Sequence, residues 1–265
     1  MSHLYHYLHH TKNSSQTHCV SATLVQAQDC DYESPEHAHE QGQLVLALAG
    51  GVRCVINGQV WMVPPQAAVW IPPHHVHTNY VTHNAQVCMV FVAAQTPLTT
   101  IPAGVLAVSA LLRELLLRLV NLQAAAEVDV AYQHHLVALL LLELQAAPTQ
   151  AFAIPVLQHE RLQVLYQVLL REPNHAGSSV YWAQKLAMSE RNLSRLVKQD
   201  TGLSFARWRQ QVQLLHALLQ LAAGKSVQQV SMDLGYESVS AFITVFKKRL
   251  GMTPKRYVLA QHVGD

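Results

Sequence analysis

The chain has 265 residues, half of them apolar, and a formal net charge of +2 at neutral pH. That suffices for two domains of ordinary size, each with a buried core. The small net charge hides an asymmetry: residues before Ala151 hold 4 Lys/Arg against 9 Asp/Glu, a balance of −5, and those from Ala151 onward hold 14 against 7, a balance of +7. Only the second half is therefore suited to a polyanion. The start, Met1-Ser-His-Leu-Tyr-His6, has no basic stretch followed by an apolar one, and Arg113, Glu114 and Arg118 break the leucine-rich run Leu111–Val120. Neither a secretory leader nor a membrane span is expected, and the expected location is the cytoplasm. The four cysteines (Cys19, Cys30, Cys54, Cys88) form no C-x-x-C pair and are expected to be reduced, buried small residues. His3, His6, His9 and His10 fall in a start expected to be disordered.

From Val20 to Val92 short apolar runs (Leu44–Leu48, Val52–Ile56, Val60–Val63, Val69–Ile71, Val87–Val92) alternate with Gly and Pro. Asn57-Gly58 between two of them predicts a two-residue hairpin, since both turn positions favour positive φ. Short strands and tight turns predict an antiparallel sandwich or small barrel. Within it stand His37-x-His39, Gln43, and later Pro72-Pro-His-His-Val-His77. This resembles the cupin barrel, where a first motif gives two histidines and a glutamate and a second, proline-containing motif gives a third histidine. The resemblance maps those positions onto His37, His39, Gln43 and His77. Two histidines two apart on a strand point to one side of a sheet, and three imidazoles plus an oxygen suit a divalent transition metal such as Ni, Zn or Fe. Gln43 departs from the expected carboxylate, and His74 stands where the second motif usually has glycine. Three readings stay open here: a metal site, a pocket for an organic effector, or histidines filling the barrel mouth. His74, His75 and His83 are expected on loops.

From about Ala103 the period becomes helical. Leu111, Leu112, Leu115, Leu116, Leu119 and Leu122, then Leu136, Leu139 and Leu140 within Val130–Leu144, give faces broader than packing on one side of a barrel needs. A homodimer formed through these helices is expected. Ala146–Pro155, with prolines near both ends, reads as a linker; the expected domains are 1–146, a linker 147–158, and 159–260.

Beyond Glu160 the pattern is helical. Arg161–Arg171 is ended by Glu172-Pro173-Asn174. Val180–Ala187, a short corner and a helix from Glu190 capped by Ser189 make a helix-turn-helix unit over about 180–200, with Ala183 and Ala187 small where the helices cross and Leu193 and Leu196 inward. Its outer face is Glu190, Arg191, Ser194, Arg195 and Lys198. The plan recurs over about 227–250, with Val227–Leu234, Gly235, and a helix from Val239 to Leu250. There Phe242, Val245 and Phe246 face inward and Ser240, Ile243, Thr244 and Lys247 outward. Leu193 follows Ala187 by six and Phe242 follows Gly235 by seven, so the second corner is one residue longer. Ser204–Ala223 reads as one long helix between the units, long enough to hold two recognition helices about one DNA turn apart.

Gly235-Tyr-Glu-Ser-x-Ser-Ala-Phe242 and Phe246-Lys-Lys-Arg-Leu-Gly251-Met-Thr-Pro254-Lys-Arg-Tyr257 carry a strong resemblance to the AraC family DNA-binding domain, covering about Arg161–Val258; Val258 stands where the family often has arginine. The implied architecture is α+β: a cupin-like antiparallel β-barrel with dimerising helices, then an all-α domain with two helix-turn-helix units. The resemblance implies base contacts by Arg191, Ser194, Arg195, Val239, Ser240 and Thr244. Phosphate contacts are expected from Ser189, Lys198, Ser238, Lys247 and Lys248. Implied partners are double-stranded DNA, a small-molecule or metal effector in the barrel, a second copy of the chain, and RNA polymerase. The competing readings are an effector-free DNA binder whose barrel only dimerises, and a cupin metalloenzyme fused to a DNA-binding domain. Gln43 argues against the latter, and no nucleophile–base pair or phosphate-binding glycine loop is present, so no enzyme is expected.

Overall fold

The computed structural model of the protein describes residues 19–27, 30–63, 67–125, 129–150, 153–155, 157–172 and 177–261. His3, His6, His9 and His10, the linker residues Ala151, Phe152 and Val156, and Pro173 and Asn174 lie outside them. The chain divides chiefly at Ala153/Ile154 into two compact units.

In the first unit the strands are β1 (Val20–Gln26), β2 (Tyr32–Glu33), β3 (Gly42–Ala49), β4 (Val52–Ile56), β5 (Gln59–Val63), β6 (Ala67–Ile71), β7 (His77–Val81), β8 (Gln86–Val92), β9 (Gly104–Ala107) and β10 (Thr149–Gln150). The β4–β5 turn has Asn57 at φ 47 and Gly58 at φ 79, the two positive values an Asn-Gly hairpin supplies cheaply. One sheet has six strands in the order β1-β8-β3-β6-β9-β10; the other carries β5-β4-β7-β2. Among the described residues the two sheets are hydrogen-bonded within themselves and not to each other, so the expected closed barrel is corrected to an open sandwich. At the β1 edge the backbone bonds go elsewhere: the Gln123 side chain accepts from Ala22 N (2.7 Å) and donates to Val20 O (3.3 Å).

Alternation along each strand sorts two cores. Val45, Val69, Ile71, Met89 and Phe91 of the first sheet meet Val52, Cys54, Ile56 and Val81 of the second between the sheets. Leu44, Leu46, Ala68, Trp70, Val90 and Val92 point the opposite way, onto helices α1 (Ala110–Gln123) and α2 (Val130–Ala146). Residues 104–107 form β9 and not helix, so the change of period expected near Ala103 falls six or so residues later, where Ser109 caps α1 by accepting from Leu112 N at 3.0 Å. Of the cysteines, Cys54 and Cys88 are buried as expected, and burial pushes both thiols up to about 12; Cys19 and Cys30 are exposed, against expectation.

The second unit is helical: α3 (Glu160–Arg171), α4 (Ser179–Lys185), α5 (Glu190–Thr201), α6 (Phe205–Ala222), α7 (Val227–Asp233), α8 (Val239–Leu250) and α9 (Pro254–Gln261). Its core holds Trp182, Trp208, Phe242 and Phe246, all fully buried, with Trp208 Nε1 donating to Pro155 O at 3.0 Å. The rings of Phe242, Phe246 and Tyr257 run in sequence at 5.6 and 5.9 Å, edge to face, which fixes α8 against α9. No helix among the described residues is long and apolar enough to cross a membrane.

Candidate nucleic-acid interface and histidine cluster

The 18-residue helix α6, about 27 Å long by its rise per residue, lies between the two helix-turn-helix units in the chain. In the first unit Ser178 caps α4 by accepting from Tyr181 N (3.1 Å), and α4 ends at Lys185. The chain turns at Ala187, whose φ of 50 is left-handed, while Ala187 N donates to Gln184 O (3.0 Å) and Met188 N to Ala183 O (2.9 Å). Ala187 is exposed, so it does not sit at the helix crossing as its size suggested; a small side chain there lowers the strain of the left-handed corner. Ala183, 3% exposed, does sit in the crossing. Ser189 caps α5, accepting from Asn192 N at 3.2 Å. Leu193, Leu196 and Val197 are buried beneath it; Glu190, Arg191, Ser194, Arg195 and Lys198 are exposed on the other side. Arg195 is held along the helix by donating to Gln199 Oε1 (3.2 Å) and Asn192 Oδ1 (3.0 Å), and Ser179 Oγ donates to Glu190 across the two helices.

The second unit repeats this backbone. Ser226 caps α7 in a capping box with Gln229, the chain turns at Gly235 (φ 74), and Tyr236 N donates to Ser231 O at 3.0 Å. Ser178 and Ser226, like Ala187 and Gly235, stand 48 residues apart, whereas the caps of the following helices, Ser189 and Ser238, stand 49 apart. The extra residue is in the corner. Ser238 accepts from Ala241 N at 3.1 Å, Phe242 and Phe246 are buried, and Ser238, Ser240, Thr244, Lys247 and Lys248 are exposed. Val239 and Ile243 are half-buried. The Thr244 hydroxyl donates to Ser240 O at 2.9 Å.

In the sandwich, His37 pairs with His77 through two backbone bonds, His37 N to His77 O (3.1 Å) and His77 N to His37 O (2.9 Å). His39 lies outside any strand, so a bridge and a turn, not a continuous strand, bring the first two histidines together. The turn ahead of β7 has His74 at φ 62, donating its N–H to His39 O at 2.8 Å; a glycine would be unstrained there. Gly42 opens β3 beside Trp70, where an added Cβ would come within 2.2 Å of the ring, and so delivers Gln43 inward. One ring nitrogen from each of His37, His39 and His77 lies within 4.8 Å of the others, and the ring centroids are 4.2 Å (His37–His77), 5.0 Å (His39–His77) and 5.9 Å (His37–His39) apart.

Each Nδ1–H donates to a carbonyl: His37 to Pro35 O (2.8 Å), His39 to Gln41 O (2.6 Å), His77 to His75 O (2.8 Å). A carbonyl only accepts, so the proton is on Nδ1 in all three. Burial lowers the imidazole pKa of His39, and that of His77 to about 4, so both are neutral at neutral pH and their Nε2 atoms carry lone pairs. Those atoms face Gln43 Oε1 at 3.3 and 3.0 Å, while Gln43 Nε2 donates to Met89 Sδ at 3.7 Å. Lone pairs thus converge with no proton between them. A cation removes that conflict; without one, a half-turn of the Gln43 amide places its NH2 against the histidines.

Residues 21–96 match the family described as "AraC-like ligand binding domain", and residues 182–259 the one described as "Helix-turn-helix domain". The chain is 42% identical over 237 residues to the HTH-type transcriptional regulator NimR of Escherichia coli K12, an alignment spanning 89% of this chain and 86% of NimR. The chain belongs to the AraC family. The HTH-type transcriptional activator RhaR of Yersinia pseudotuberculosis is 28% identical over 109 residues, 41% of this chain and 37% of RhaR. Among solved structures, a DNA-binding transcriptional dual regulator from Escherichia coli K-12 shares 27% identity over 41% of this chain and 97% of its own, with a TM-score of 0.37.

This AraC-family chain is thus a DNA-binding transcription regulator with an N-terminal ligand-binding domain. The residues expected to meet DNA fall on exposed faces, except the half-buried Val239. His37, His39, Gln43 and His77 come together from a loop, β3 and β7. Sequence reasoning missed Asn192 and Gln199, which tether Arg195, and Met89, which receives the Gln43 amide. The first two stand at i−3 and i+4 from Arg195, a helical spacing that could have found them; Met89 is 46 residues from Gln43 and has no local signal.

Proposed function

We propose that the first helix-turn-helix unit selects the operator sequence and the second chiefly anchors the protein to it. The observation that carries this is the difference between the two exposed faces: Arg191, Ser194, Arg195 and Lys198 on α5, against Val239, Ser240 and Thr244 with Lys247 and Lys248 on α8. Arg191 and Arg195 can pair with guanine through two donors each, whereas Ser240 and Thr244 are weaker readers and Val239 offers only an apolar contact. Ser189, Lys198, Ser238, Lys247 and Lys248 bind phosphates. Ser189 and Ser238 use their hydroxyl protons, since the oxygens already accept from the helix backbone. Operator fragments carrying single base-pair changes, measured by fluorescence anisotropy at fixed salt, test this. Losses confined to the half facing α5 support it, and equal losses in both halves refute it.

The regulatory domain binds its effector at His37, His39, Gln43 and His77. These residues hold a divalent transition ion, Ni, Zn or Fe, through three imidazole nitrogens that lie within 4.8 Å of one another and the Gln43 amide oxygen that faces His39 and His77. Bound there, the ion would act as a Lewis acid toward a further ligand. Metal content of the untagged protein beside a His37→Ala, His39→Ala double variant tests it: near-stoichiometric metal lost in the variant supports the site. No metal in either protein after incubation with each ion makes the cavity one for an organic effector alone. The protein acts as a homodimer through α2, whose exposed Ala131, Ala138, Leu139, Leu142 and Ala146 share one side of the helix. Leu142 is 63% exposed, an apolar side chain that a second copy would cover. A Leu139→Glu, Leu142→Glu variant that sediments unchanged from wild type would overturn this. A dimer places two DNA-binding domains on one operator, where they can meet RNA polymerase.

A further inference from the structure

The histidine cluster contains no carboxylate, and among the described residues no Asp or Glu anywhere is buried. Gln43 and His77 are each only 1% exposed, and the surrounding interior is apolar, with Val45, Ile71, Met89 and Phe91 on one sheet and Cys54 and Ile56 on the other. Glu36 and Glu40, which flank the two first histidines in sequence, are exposed. A divalent ion held by three imidazoles and an amide keeps its whole charge of +2. Such a charge beside an apolar interior is costly unless a counter-charge lies against it, and the described residues supply none there.

A second observation lies on the same wall. Asn79 is two residues beyond His77 on β7, and the strand's alternation puts both side chains inward. Asn79 is 1% exposed, and neither atom of its amide has a hydrogen-bond partner. Its backbone N–H is already used, donating to Ser34 Oγ at 2.9 Å. A buried primary amide with two unmet bonds calls for a ligand or an ordered water. Two residues along a strand place it about 7 Å from His77.

We infer that Gln43, by leaving the loaded site without a negative charge, makes it a receptor for a small anionic effector. One acidic group of that effector sits on the ion, and a polar group about 7 Å away meets the Asn79 amide. A small dicarboxylate or an acid with a carbonyl or amide tail has this chemistry. The inference rests on the metal reading above.

The experiment uses the full-length, untagged chain and Co²⁺ as an optical probe. Equilibrium dialysis first measures Co²⁺ uptake alone; no uptake overturns the metal reading, and this inference with it, before any anion is added. The loaded protein is then titrated with azide and with succinate while the visible absorption of the ion is followed. Both anions are expected to shift the spectrum in the wild type, and neither to bind the metal-free protein. Gln43→Glu is expected to hold Co²⁺ at least tenfold more tightly and to bind both anions at least tenfold more weakly, because the counter-charge is now built in. Asn79→Asp adds the charge from a second position and should also weaken both anions. Asn79→Ala should weaken succinate severalfold and leave azide unchanged. A loaded wild type that ignores both anions, or carboxylate variants that bind them as well as wild type, would overturn the inference.

Discussion

The first helix-turn-helix unit turns its corner on Ala187 at φ 50 and the second on Gly235 at φ 74. Both open with a serine cap, both pass the corner with the same pair of backbone bonds, and both bury a residue at the matching place, Trp182 and Val230. What differs is volume inside and charge outside: a tryptophan against a valine, and arginines against small hydroxyls. One backbone plan therefore tolerates two cores and two surfaces. The residues that make the unit a helix-turn-helix are separable from those that decide what it reads.

The comparison can be broken most forcefully at the core. Trp182→Ala should cost about 3–5 kcal/mol of stability by the large-to-small rule, whereas Val230→Ala should cost about 2 kcal/mol at ~0.8 kcal/mol per buried methylene plus a small cavity. Urea unfolding of both variants checks the ratio; equal losses would mean that the two positions are not equivalent. Next come the faces. Arg191→Ala and Arg195→Ala should each weaken specific binding by about 1–3 kcal/mol and relax the preference at one base pair, while Thr244→Ala should change affinity by under about 0.5 kcal/mol, its hydroxyl being already bonded to Ser240 O. The corners should respond in opposite directions. An added Cβ at Gly235 would meet nothing within 4 Å, so Gly235→Ala costs only left-handed strain, about 1 kcal/mol, and Ala187→Gly should gain a similar amount. Thermal unfolding that moved both variants the same way would contradict this. Lys247→Ala should cause a uniform weakening across sequences, with the salt dependence of binding reduced by about one phosphate contact.

The helical unit was largely legible because its determinants are local. Caps, closing glycines and three-four spacing all act within a few residues, and the 49-residue cap repeat could be read directly from the chain. Ala187 was misplaced because periodicity continues past a helix end, while the left-handed turn that stops it leaves no apolar signal. In the sandwich, the runs at β3, β4, β5, β6 and β8 were visible, but β7 was hidden by its polar inward residues His77 and Asn79, and β9 by its shortness. Closure of the barrel is decided by which edges find hydrogen-bond partners. The edge at β1 is met by Gln123, 101 residues from Ala22, a pairing no local pattern announces. The four-residue candidate site was readable from its motifs, but its proton positions were not, because they follow from backbone carbonyls that only the folded loops bring near.

The division of labour between the two units is tested most directly by one binding scan. Every base pair of an operator is substituted in turn, and the affinities of wild type and Arg195→Ala are compared at one salt concentration. The expected result is a set of strong losses limited to the half under α5, one of which disappears in Arg195→Ala, with only shallow losses under α8. Strong losses of equal depth in both halves, or a scan that Arg195→Ala leaves unchanged in shape, would contradict it.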